Sequence, residues 1–222
     1  MERESRNRTS NAEAIVEARH IQTDLPTSSL DHRAWNLATA VSLTHYWSGV
    51  EAPKGRHAEA RLLWSDAALH IRFSCRQQEP LVISRNPQTD RKTIGLWDRD
   101  VCEIFIAPNP DLPDNYFEFE AAPTGEWIDL AIKHTQEGRK TDFEFTSGVS
   151  AAGRMLDRTV LVAMRIPWQG SIKRPQLHES WRANLFRCVG TGEDRGYLAW
   201  RPTRTPKPDF HAPRAFGELH FT

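Results

Sequence analysis

Ala58-Glu59-Ala60-Arg61-Leu62-Leu63-Trp64-Ser65-Asp66-Ala67-Ala68-Leu69-His70-Ile71-Arg72-Phe73-Ser74-Cys75 is the stretch that decides the fold class. Ala60, Leu62 and Trp64 fall on one side of an extended chain, and Leu69, Ile71, Phe73 and Cys75 repeat the pattern after a turn at 65–68. Successive side chains of a strand point to opposite faces, so an apolar period of two marks a half-buried strand; a helix would need a period of 3.6. Two such runs around an Asp-containing turn predict a β-hairpin.

Working outward, Val101-Cys102-Glu103-Ile104-Phe105-Ile106-Ala107-Pro108 is a nearly continuous apolar strand with one charge inside it, Glu103. Pro108, Pro110 and Pro113 make 108–115 a loop, because proline removes a donor and fixes φ. Tyr116-Phe117-Glu118-Phe119-Glu120 alternates aromatic and acid, Pro123-Thr124-Gly125 turns, and 127–132 returns as the partner strand. Further strands are expected over 38–43, 143–150, 159–166, 181–189, 197–200 and 216–221, with Ala152-Gly153-Arg154 as a turn and 81–84 as a short extended piece. Roughly ten strands or more without a helical stripe predict an all-β, jelly-roll-like β-sandwich. No repeat or composition shift divides the chain, so a single domain is expected over 15–222, behind a polar, disordered leader at 1–14.

Lys plus Arg and Asp plus Glu both total 29 in 222 residues, so the formal net charge is zero. A nucleic-acid partner would call for a basic excess, and none is present. No segment approaches the ~20 apolar residues of a spanning helix, and residues 1–20 hold no signal-like apolar run. The expectation is a soluble protein without a membrane partner, its compartment left open because a start assigned too late would remove an export signal.

Cys75, Cys102 and Cys188 lie inside apolar runs without a CxxC pair and read as small buried hydrophobes. His134, His178, His211 and His220 lack zinc-ligand spacing. Asp98, Asp100, Asp111 and Asp114 sit on loops, which keeps calcium open, but they match no EF-hand loop and supply no assignable ligand set. No metal or cofactor is therefore expected. There is no GxSxG elbow, phosphate loop or dinucleotide fingerprint. Glu103 with Glu118 or Glu120 offers a carboxylate pair of the glycosidase kind, though the same acids on adjacent strands serve equally to hold hydroxyls or an arginine.

Eight tryptophans stand against three tyrosines. Trp97, in Leu96-Trp97-Asp98-Arg99-Asp100, and Trp200, in Ala199-Trp200-Arg201-Pro202, lie at strand ends beside charges, where an indole either caps the core or stays partly wet. A sugar ring needs a flat aromatic surface for its C–H face and planar polar groups at the rim, and tryptophan with Glu, Asn or Arg supplies both.

The order of these motifs resembles the family 9 carbohydrate-binding modules and the wider DOMON-like superfamily. Trp97-Asp98-Arg99-Asp100-Val101-Cys102-Glu103-Ile104-Phe105-Ile106 is similar to their W-x-x-D-x-x-E-[IV]-F-[IV] signature, and Tyr116–Glu120 with Pro123-Thr124-Gly125 to the hairpin that follows. Ile166-Pro167-Trp168, Trp181-Arg182-Ala183-Asn184-Leu185-Phe186-Arg187, and Trp200 with Phe210-His211-Ala212-Pro213 and Phe216-Gly217 complete the series in order. The resemblance implies a non-catalytic sandwich that binds a mono- or oligosaccharide, its terminal sugar stacked between Trp97 and Trp200. Glu103 would take sugar hydroxyls, with Arg187, Asn184 and Glu118 as further contacts. It also implies a carbohydrate-active enzyme as the protein partner, and calcium in some members. Haem, bound by some DOMON relatives, is argued against by Met155 in a turn and Met164 at a strand ending. Two rival readings stay open: an enzyme using Glu103 and Glu118 as an acid pair, and an accessory sandwich without a ligand.

Overall fold

A computed structural model describes residues 14–222. The leader expected at 1–14 lies outside them, apart from Ala14, whose carbonyl accepts from the Glu218 amide at 2.8 Å. The strands are β1 (Ile15–His20), β2 (Val41–Leu43), β3 (His45–Tyr46), β4 (Ala58–Trp64), β5 (Ala68–Arg76), β6 (Val101–Ala107), β7 (Asn115–Ala121), β8 (Trp127–Thr135), β9 (Gly138–Asp142), β10 (Ser150–Leu156), β11 (Thr159–Pro167), β12 (Ser180–Val189), β13 (Gly196–Ala199) and β14 (Gly217–Phe221). The helical segments among the described residues are short 3-10 turns, and no helix there is long and apolar enough to cross a membrane.

The main path runs β10-β11-β5-β4-β1-β14-β12-β6-β7-β8-β9. β1 pairs in parallel with both β4 and β14, and so joins the two halves of the path; the other pairings are antiparallel. Leu62, Ile71, Phe73 and Val162 from the first half meet Ile104, Phe119 and Leu185 from the second in one buried core. That contact makes the folded-over sheet a sandwich, as the alternation in 58–75 predicted.

The period of two gives the second half another apolar face. Phe105, Tyr116, Leu130 and Phe186 point away from the interlayer core and form a separate cluster with Phe210 and Phe216 from the C-terminal segment. Both faces of β6 and β7 are therefore covered, which explains why every residue of Val101–Ala107 is buried.

Three expectations are corrected. The strand at 143–150 begins only at Ser150, and the turn at 152–154 is strand interior in β10. Gly153 is there because a Cβ would run into the Pro123 carbonyl, so it marks close backbone approach and not a bend. The reversal comes at Arg158, which takes φ 53°, and Met155 accordingly lies in a strand. Residues 15–20 and 138–142, outside the expected strands, form β1 and β9.

Gly217 is a second close approach. A Cβ on it would meet the Trp200 ring edge and stand 2.5 Å from the Ala14 carbonyl oxygen, which is backbone and cannot swing aside. Gly217→Ala is expected to cost about 1–3 kcal/mol by overpacking. An unchanged urea midpoint would show that the β1–β14 seam has slack.

Candidate functional site

A cleft of about 330 Å3 opens on the outer face of β6, β7 and β8, between the turn carrying Trp97 and the segment carrying Phe210 and His211. Its volume lies at the small end of the ~300–1,000 Å3 typical of small-molecule sites. A larger groove of about 460 Å3 beside Pro108, Leu112 and Phe117 is mainly apolar and does not contain the acids or Trp97.

Pairing explains how the floor is built. Glu103 faces Glu120 across β6 and β7, and Phe105 faces Glu118. Residues 118 and 120 are two apart on one strand and share a face, so three carboxyls converge beneath the opening. Glu103, Glu118 and Glu120 are 2%, 3% and 1% exposed, and each offers an oxygen within 4.8 Å of the other two. Among the described residues this is the one such group compact enough to close around a single cation; Asp98, Asp100, Asp111 and Asp114 form none.

Burial dominates the electrostatics of the floor. It pushes Glu103 up to about 8, with the Glu118 charge adding to the shift and the Cys188 thiol, donating at 3.3 Å, opposing it. Glu118 and Glu120 are also raised by burial, Glu120 further by its two acidic neighbours. The Oε2 atoms of Glu118 and Glu120 are buried without a hydrogen-bond partner. His211 offers no counter-charge: burial lowers it to about 3, its Nδ1 shares a hydrogen bond with the Tyr116 hydroxyl at 2.9 Å, and its Nε2 stays 3.8 Å from Glu118.

The walls are aromatic. Gly95, at φ 81°, starts the 3-10 turn Leu96–Asp98 that holds Trp97 out at 37% exposure. Arg195 pins this turn from behind, donating to the carbonyls of Trp97 (2.6 Å), Asp98 (3.2 Å), Arg99 (2.7 Å) and Gly190 (2.8 Å). Its guanidinium lies 5.4 Å from the Tyr197 ring centre, fixing a second wall residue. Phe210 stacks on Phe186 at 4.0 Å and closes the far side, while Phe143 and Arg139 reach the rim.

Of the expected site residues, the fold brings Trp97, Glu103 and Glu118 together and leaves the other three elsewhere. Trp200 is one residue out of phase. Ala199 and Tyr197 pair with Phe186 and Cys188 on the cleft face, so Trp200, bonded through its amide to the Leu185 carbonyl, turns into the interlayer core over Gly217. The expected clamp of Trp97 and Trp200 is thereby corrected. Asn184 is fully buried and closes a local ring with the Arg201 backbone, donating to its carbonyl at 2.8 Å and accepting from its amide at 3.0 Å. Arg187 points into the interlayer space and spends its donors on the Arg56 and Arg76 carbonyls and on Gln77.

Tyr197 and the Phe210-His211 pair line the cleft without having been expected there, and Glu120, expected only as an alternative member of a carboxylate pair, joins them. The aromatic–acid alternation at 116–120 carried the signal for Glu120, since it puts that residue on the face of Glu118.

A family model described as carbohydrate family 9 binding domain-like matches residues 29–222. The chain belongs to this family. The fold of this family 9 domain is shared by a candidate carbohydrate-binding protein of Bacteroides uniformis (TM-score 0.71, 18% identity, covering 94% of this chain and 99% of that one). It is shared too by a family 9 carbohydrate-binding module of Caldicellulosiruptor kristjanssonii, solved with cellotriose (TM-score 0.65, 16% identity, 94% and 93% covered) and with glucose (TM-score 0.61, 16% identity, 94% and 95% covered). No curated protein matches the chain.

Proposed function

We propose that this domain binds the end of a mono- or oligosaccharide in the cleft and performs no reaction on it. The observation that carries the reading is the placement of a half-exposed indole, Trp97, over the buried carboxyls of Glu103 and Glu118 in one small cleft of a family 9 fold. The structural neighbours solved with cellotriose and glucose support a saccharide as the ligand class. Trp97, Tyr197 and Phe210 would offer apolar surface to the ring, and the acids would take its hydroxyls. The cleft lies at the small end of ligand-site volumes, which favours a chain end over an internal stretch.

Intrinsic fluorescence should follow the binding of a panel of mono- and disaccharides directly. Trp97→Ala is expected to weaken binding by about 2 kcal/mol, roughly 30-fold, and to leave the unfolding midpoint unchanged. Undiminished binding by that variant would remove Trp97 from the site. Trp200 turning away favours the second reading, an accessory sandwich without a sugar ligand; a flat titration across the panel would establish it.

A further inference from the structure

Three carboxyls converge on the cleft floor, and burial favours their protonated forms because the side chains around them supply too little positive charge, so a cationic ligand could take the place of the protons they hold. Asp98 and Asp209 add two further acids to the lining, against a single basic side chain there, Arg139. Arg139 is half-exposed and already stands 3.9 Å from Asp209. Arg195, behind the Trp97 turn, adds a positive charge that acts on Glu103 and Glu120, but its donors are engaged by backbone carbonyls and bond none of the three acids.

A second observation points to what is missing. Glu118 Oε2 and Glu120 Oε2 are buried and receive no hydrogen bond from any group outside the three acids, on side chains that are at least nine-tenths buried and line the cleft. A buried acceptor left unmatched is destabilising, more so when the group is charged. A neutral sugar hydroxyl donates one hydrogen bond and brings no charge, so it satisfies one oxygen of the three carboxyls. An ammonium group donates three and carries the compensating charge. Three acceptors about 2.8 Å from a tetrahedral nitrogen stand roughly 4.6 Å apart, within the 4.8 Å limit that the three glutamates meet. The walls suit such a group as well, since Trp97, Tyr197 and Phe210 add aromatic surface to which a cation is drawn.

We propose that the cleft selects an amino sugar, receiving its protonated amine between Glu103, Glu118 and Glu120. This rests on the sugar-binding reading and narrows it to a ligand class. The acids then orient the ring by its amine, and Trp97 covers its apolar face.

The test compares glucose, glucosamine and N-acetylglucosamine by calorimetric titration at pH 7, where an amine of pKa near 8 is mostly charged. Glucosamine is expected to bind at least tenfold more tightly than glucose. N-acetylglucosamine keeps the nitrogen but loses the charge, and should bind no better than glucose. Glu120→Gln should erase the preference, bringing the ratio of glucosamine to glucose affinity to about one whatever the affinity for glucose itself; if that variant does not fold, Glu118→Gln takes its place, and the wild-type comparison is decisive by itself. Equal affinities for glucose and glucosamine overturn the amine assignment and leave the sugar reading standing. So does glucosamine binding that EDTA abolishes and calcium chloride restores, which would give the three acids to a metal ion. Binding of none of the three sugars overturns both.

Discussion

Glu103→Gln is expected to make the domain more stable, by about 3–5 kcal/mol at pH 8 and by almost nothing at pH 4. Burial pushes the Glu103 carboxyl from its ordinary 4.5 to about 8 in the folded domain. Below pH 4.5 it is protonated in both the folded and the unfolded chain and contributes no pH dependence. Between 4.5 and 8 the unfolded chain releases the proton and the folded one keeps it, so stability falls as pH rises, by about 1.4 kcal/mol per pH unit. Above 8 both forms are ionised and the penalty is constant. Glutamine keeps the shape and can still accept from the Cys188 thiol, but has no proton to hold. Its removal also takes one like charge from Glu120, which Glu103 helps to raise, so the neighbour moves the difference in the same direction. Urea unfolding of both proteins from pH 4 to pH 8 measures the gap. A gap that does not widen with pH would mean that the floor is better solvated than its 2% exposure implies.

Arg187→Ala is expected to cost about 3–5 kcal/mol and to leave sugar recognition intact in the molecules that remain folded. The side chain is 3% exposed and crosses from β12 to the other half of the sandwich. There its guanidinium donates to the Arg56 carbonyl at 2.6 Å, the Arg76 carbonyl at 2.7 Å and the Gln77 side chain at 2.5 Å. Gln77 in turn donates to Asp100 at 3.3 Å, and Asp100 accepts from the Gly190 amide at 2.8 Å. Removing the arginine leaves two backbone carbonyls and the Gln77 amide oxygen inside the protein with their partner gone, the costly way to break a buried polar network. Arg187→Lys should recover only part of the loss, because one ammonium cannot reproduce the planar fork. Chemical unfolding checks both variants. A cost under about 1 kcal/mol for the alanine variant would show that water replaces the guanidinium, and a selective loss of sugar affinity would return Arg187 to the binding site.

The fold was legible wherever one strand face is dry and the other is not. Residues 58–75 alternate cleanly because β4 and β5 pack one face on the interlayer core, and their hairpin was readable to within a residue. The reading failed where a residue's local habit served a distant contact. Gly153 has the look of a turn and sits in mid-strand, because the Pro123 carbonyl occupies the space a side chain would fill. The gap between the two is 30 positions of chain, and no local pattern spans it.

The candidate site divides along the same line. Trp97 and Glu103 belong to one continuous stretch, and Glu118 and Glu120 to another, so their types and their shared faces follow from strand periodicity alone. Which face Trp200 takes depends on the register of β13 against β12, where a shift of one residue turns a side chain from the cleft into the core. Asn184 and Arg187 were drawn into the expected site by their polarity, but polarity does not say whether a group meets a ligand or the protein's own carbonyls. Strand periodicity and the order of motifs were enough to specify an all-β sandwich, its family, and the chemistry available to its cleft. Which groups face one another there was set in three dimensions, because pairing register and layer contact join residues far apart in the chain.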